Sequence, residues 1–114
     1  MEPDFGQLLR EDRSTTVRLR DSLKRQVAGI VEASEWTAND DEHDPEGSTI
    51  AYERAQAQGL LRQAQADLEA LDRAEERLRD GTYGTCLHCG RPIGTPRLEA
   101  LPATTSCISC ADRR

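Results

Sequence analysis

The sequence predicts a mainly α protein: a long antiparallel helical hairpin of the coiled-coil type, followed by a small C-terminal lobe organised around four cysteines. Three observations predict it. Two long stretches, Asp4 to Trp36 and Ile50 to Leu78, carry apolar residues at helical spacing and have no internal proline. Charged residues make up 32% of the chain and aromatics 4%, which suits narrow apolar stripes on long helices better than one large core. After Gly81 the periodicity stops, and a segment rich in Gly, Pro, Thr and Cys begins. The expected boundaries are 1–81 for the hairpin, with a tip loop near 37–47, and 82–114 for the lobe.

In the first helix, Leu9, Thr16, Leu19, Leu23, Val27, Ile30 and Ala33 recur at about helical spacing and form an imperfect seam. Asp21 and Arg25 stand four apart and can pair on its outer face. The second seam is cleaner. Ile50, Arg54, Ala57, Leu61, Ala64, Leu68, Leu71, Glu75 and Leu78 alternate spacings of four and three, the pattern of a coiled coil. Glu69–Arg73 and Glu75–Arg79 add pairs at i, i+4. Asp44 can cap this helix with Pro45 in its first position, and Ser48 is the competing cap. Gly81 is its natural stop.

Each helix would be about 48 Å long at about 1.5 Å per residue, and neither can bury its stripe alone. The connection is short, so an antiparallel hairpin follows. Trp36 and Tyr52 fall on opposite sides of the bend and are expected to pack as core aromatics near the tip.

The net charge is −6, and its acidic surplus is concentrated. Residues 39–47 contain five acidic groups and no basic one, whereas residues 81–114 carry four basic and two acidic groups. Neither helix has a basic face, which argues against the phosphate backbone as a source of affinity and against sequence-specific DNA binding. No apolar run is long enough to cross a membrane and no signal peptide is visible, so a cytoplasmic, reducing location is expected.

The four cysteines carry the chemistry. Cys86 and Cys89 form one C-x2-C pair, Cys107 and Cys110 a second, with a loop between that brings the pairs together. Four thiolates fill a tetrahedral ion and leave no open position, so one structural Zn2+ is expected, not a catalytic metal. Iron is the chemical alternative for the same donor set. Gly84 and Gly90 flank the first pair and would let the backbone turn around the sulfurs. His88, between two ligands, is read as a surface residue. No Ser-His-Asp set, phosphate-binding glycine loop or open metal site is apparent, so no enzymatic role is expected.

The run Tyr83-Gly-Thr-Cys-Leu-His-Cys-Gly90, with Ile93, Arg97-Leu-Glu-Ala100, Pro102 and Cys107-Ile-Ser-Cys110, resembles the signature of the DksA/TraR zinc-finger family. The likeness is dense over 83–110, and the preceding hairpin looks like that family's coiled coil. It implies a transcription regulator that binds bacterial RNA polymerase and inserts its coiled coil into the secondary channel. The acidic tip would approach the active centre and alter open-complex stability.

On that reading the partner-binding tip is Asp40, Asp41, Glu42, Asp44 and Glu46. Arg91 and Arg97 are candidates for contact at the polymerase rim, with pairing inside the lobe as the alternative for Arg97. Two departures stand out. The family's tip pattern, D-x-x-D-x-A, meets Asp41 and Asp44 but finds Glu46 in place of alanine, and aligning on Asp44 instead puts Gly47 at the second aspartate. Members that use ppGpp carry basic residues where this chain has Leu101 and Ala111, so little ppGpp synergy is expected. A zinc-thiolate redox sensor is the alternative function, and a zinc-finger DNA-binding protein a weaker one. The hairpin buries its own seam, which favours a monomer.

Overall fold

The computed structural model describes residues 2–37 and 45–112, with side-chain environments for 2–33 and 49–112. Its elements are α1 (Phe5–Thr37), α2 (Pro45–Asp80), α3 (Thr95–Ala100) and α4 (Ile108–Ala111). No strand occurs among the described residues; one isolated antiparallel bridge joins Thr85 to Pro92. No helix among them is long and apolar enough to cross a membrane.

The ends of the long helices follow local chemistry. Asp4 caps α1: its Oδ1 accepts the N–H of Gln7 at 3.0 Å and its carbonyl accepts that of Leu8 at 3.1 Å. Pro45 takes the first position of α2. At the far end Gly81 adopts φ 79°, which turns the chain back so that Thr82 N–H reaches the Arg77 carbonyl at 2.9 Å and Gly81 N–H the Leu78 carbonyl at 3.4 Å. This Schellman pair satisfies carbonyls that a helix end otherwise leaves bare.

The chain divides into two compact units, Met1–Thr15 with Asp67–Arg114, and Thr16–Ala66. In the first, Leu9, Leu68, Leu71 and Ala74 are buried between the helices. A buried leucine contributes roughly 1.5–3 kcal/mol, so these few positions hold much of the unit together. Arg13 pairs with Asp72 and lies 4.0 Å from Glu75. In the second unit, Thr16, Leu23, Ala57 and Ala64 are buried.

The α2 seam matches the sequence expectation at Ile50 and from Ala57 to Glu75, with Ala74 as an addition, but Arg54 and Leu78 are exposed and lie outside it. The α1 seam matches at Leu9, Thr16, Leu23, Val27 and Ile30 and departs at Leu19 and Ala33. Its regular path runs Leu9, Arg13, Thr16, Arg20, Leu23, Val27, Ile30, each buried or half-buried, with spacings alternating four and three. Leu19 lies off this path and is 52% exposed, and Ala33 is exposed. The cause is chemical. Arg13 and Arg20 occupy seam positions half-buried, each with its guanidinium paired to a carboxylate, Asp72 for Arg13 and Asp21 for Arg20 at 3.0 Å. Asp21 therefore pairs with its neighbour Arg20, where the i, i+4 rule pointed to Arg25. Tyr52 is 70% exposed and is not a core aromatic.

Candidate metal centre

The metal-binding segment begins one residue after the Gly81 turn. Each C-x2-C pair is wound into a single turn closed in the same way. Gly90 N–H donates to the Cys86 carbonyl and Ala111 N–H to the Cys107 carbonyl, both at 2.9 Å. Gly90, at φ 75°, lets the first turn reverse without a Cβ clash, and Cys86 N–H then meets the Arg91 carbonyl at 2.8 Å. A bond from Leu87 N–H to the Thr105 carbonyl, 2.9 Å, ties the first turn to the segment that leads into the second.

The result is convergence. The Sγ atoms of Cys86, Cys89, Cys107 and Cys110 lie within 4.8 Å of one another, with Cys89 and Cys107 3.7 Å apart. Four sulfurs around a tetrahedral zinc at about 2.3 Å would stand roughly 3.8 Å from each other, so the donors fit one Zn2+ with little rearrangement. The protein carries one structural zinc at this centre. His88 is exposed and stands outside the ligand cluster.

Burial and polarity differ among the ligands. Cys86 is buried, Cys89 exposed, Cys107 and Cys110 intermediate. The backbone N–H of Cys107, above all, holds the Cys86 thiol down at about 5 against the opposing effect of burial, helped by the N–H groups of Cys89 and His88. Cys107 is lowered as well, first by the Cys110 backbone. Cys110 is pushed up to about 12, first by the Cys107 sulfur, then by burial and the remaining sulfurs. N–H groups aimed at sulfur stabilise thiolate, the form that binds metal.

Beneath the cluster Cys86, Ile93 and Leu98 form a small core, with Phe5, Tyr83, Cys107 and Cys110 packed against it. The Phe5 and Tyr83 rings are 5.3 Å apart and tilted by 47°. Tyr83 OH donates to the Pro102 carbonyl at 2.7 Å. Burial raises the Tyr83 pKa, and the positive charge of Arg77 partly opposes it. The support from Phe5 escaped the sequence reading; its only signal there was a lone phenylalanine at the helix start.

Of the two candidate rim arginines, Arg97 is half-buried and its Nε donates to the Ser106 carbonyl at 2.8 Å, a bond within the lobe. Arg91 is exposed beside a groove of about 400 Å3 lined by Cys89, Ile93, Cys107, Ile108 and Cys110, among others. Asp40, Asp41, Glu42 and Asp44 lie outside the described residues, as do the side chains of Glu46 and Trp36.

Fold and donor set define a structural zinc-finger protein in which the finger follows two long helices. Residues 81–114 match the prokaryotic dksA/traR C4-type zinc finger. The RNA polymerase-binding transcription factor DksA of Caulobacter vibrioides is 41% identical over 46 residues, 40% of this chain and 32% of that protein. General stress protein 16O of Bacillus subtilis is 34% identical over 71 residues, 62% of this chain and 44% of that protein. The solved structure of transcription factor DksA2 from Pseudomonas aeruginosa superposes with a TM-score of 0.54 at 27% identity, covering 93% of this chain and 81% of that one. Residues 81–114 thus carry a zinc finger of the dksA/traR C4 type, and the chain as a whole is similar in fold to DksA2. It spans about a third to under half of the length of the curated relatives it matches.

Proposed function

We propose that this protein regulates transcription by binding bacterial RNA polymerase, with the helical pair entering the secondary channel and the carboxylates of Asp40, Asp41, Glu42, Asp44 and Glu46 acting near the active centre. One observation carries the reading: the closed zinc finger follows two long helices, the arrangement shared with DksA2 over 93% of this chain. A negatively charged tip suits a partner site rich in basic side chains and Mg2+. Residues 82–114 would remain at the channel rim.

Arg91, exposed at the groove, is the better placed of the two arginines to meet a partner there, because Arg97 already serves the lobe. The regulator works as a monomer, by binding and not by catalysis, in the cytoplasm. Leu101, half-exposed, offers no charge to a nucleotide phosphate, so ppGpp adds little to its effect.

The test is binding to RNA polymerase core from a matching host, comparing wild type with the Asp41→Asn/Asp44→Asn variant and crosslinking from the tip. A crosslink near the active centre, with binding kept and the effect on open complexes lost in the variant, is the expected result. Absence of binding would defeat the reading. A zinc-thiolate redox sensor is the second reading, favoured by one feature: Cys89 is exposed and the groove opens on three of the four ligands. Mild peroxide would then release zinc and alter partner binding together.

A further inference from the structure

The metal lobe is attached to the helices twice, and both attachments lie within one compact unit, Met1–Thr15 with Asp67–Arg114. The first is the chain itself: past the Gly81 turn, Tyr83 N–H reaches back to the Arg77 carbonyl at 3.1 Å. The second is Phe5, the only phenylalanine of the sequence and the first residue of α1. It stands four positions before Leu9, on the stripe that runs on through Arg13. Its ring lies 5.3 Å from that of Tyr83 and packs against the core of Cys86, Ile93 and Leu98.

That core has three buried side chains, and one of them is a metal ligand. A core so thin keeps its shape only while the ligands are held together. The first turn of α1 is secured from its own side by Asp4, which accepts the N–H groups of Gln7 and Leu8. It also lies close against the last turn of α2, since a Cβ at Gly6 would stand 3.5 Å from Leu78 Cδ2. The Phe5 ring is therefore shared: it belongs to the first turn of α1 and to the floor of the metal centre.

We propose that Phe5 is a latch between the metal centre and α1, so that holding the metal and seating the first turn of the helix strengthen each other. Linkage makes the effect reciprocal: the factor by which a seated Phe5 tightens metal binding is the factor by which bound metal favours the seated turn. The sulfurs converge through bonds local to residues 86–110, and Phe5 adds to how tightly the metal is kept. Loss of metal frees the first turn of α1 while the helix beyond it stays formed. The latch does not depend on what the helices bind.

Two measurements on the full chain under reducing conditions test it: zinc competition against a chelator at fixed pH, and hydrogen exchange with and without zinc. Phe5 is half-buried, so its variants fold. Phe5→Ala should weaken zinc binding about ten-fold, and Phe5→Leu, which keeps an apolar side chain, about three-fold. Asp4 makes its cap bonds within α1, so Asp4→Ala should weaken zinc about three-fold, whereas Asp4→Asn keeps the cap and the affinity. Removing zinc from wild type should speed exchange of amides 8–12 about ten-fold and leave amides 20–24 within about two-fold. In Phe5→Ala that response to zinc should vanish. Zinc affinity in Phe5→Ala within about two-fold of wild type would overturn the latch. A loss in Phe5→Ala with none in Asp4→Ala would confine the contact to the lobe and overturn it too, as would exchange that quickens evenly along α1.

Discussion

Replacing Leu9 and Leu19 by alanine, one at a time, tests the register of the helical pair. Leu9 is 0% exposed and is one of the largest fully buried side chains; Leu19 is 52% exposed. Leucine to alanine removes three carbons, about 2.4 kcal/mol of transfer free energy at about 0.8 kcal/mol per buried CH2. At Leu9 a cavity adds to this, so the total loss is about 3 kcal/mol. At Leu19 about half the transfer term applies and no cavity forms, while alanine's helix propensity offsets part of it; the loss stays under about 1 kcal/mol. For a domain of this size those figures correspond to a fall in Tm of roughly 10–20 °C for Leu9→Ala and under roughly 8 °C for Leu19→Ala. Thermal unfolding of the zinc-loaded protein, followed by helical circular dichroism, reads both. Equal losses, or a larger one at Leu19, would place Leu19 in the seam and refute the path through Arg13 and Arg20.

Two further outcomes follow from the metal lobe. Zinc binding must displace at least the proton held by Cys110, whose pKa is pushed up to about 12, so apparent zinc affinity should rise at least tenfold per pH unit around neutrality. Competition with a chromogenic chelator between pH 6 and 8 measures this, and a flat profile would contradict it. Tyr83→Phe removes the bond to the Pro102 carbonyl and should lower stability by about 0.5–1.5 kcal/mol. Because the folded state raises the Tyr83 pKa, its stabilisation is complete below about pH 10 and is lost as pH rises through the folded value. The gap in Tm between wild type and Tyr83→Phe should therefore narrow above about pH 10.

How much of the fold was legible depended on whether chemistry and position coincided. The cysteine spacing reads directly because two C-x2-C turns need little else to converge, and both close with the same hydrogen bond. Gly81 reads directly because only a glycine accepts its φ cheaply. The α2 seam is written mostly in Leu and Ala. The α1 seam is hidden because it passes through Arg13 and Arg20, so a search for apolar residues moves one position to Leu19. α3 and α4 are too short to display a period. The floor under the metal site was hard to see for another reason: Phe5 and Tyr83 come from distant parts of the sequence, and only the fold makes them neighbours.

The composition of the two compact units has a consequence for how the protein is made. Thr16–Ala66 is one continuous stretch, so its contacts are available as soon as that stretch has left the ribosome. The other unit joins Met1–Thr15 to Asp67–Arg114, and its Arg13–Asp72 pair closes a separation of 59 positions. Loop closure of that kind is slow relative to local helix formation. Until it happens Phe5 has not met Tyr83, whereas the four cysteines, all within residues 86–110, are drawn together by hydrogen bonds local to that segment. Docking Phe5 beneath the metal site is thus a separate event from gathering the four sulfurs, and the second does not wait for the first.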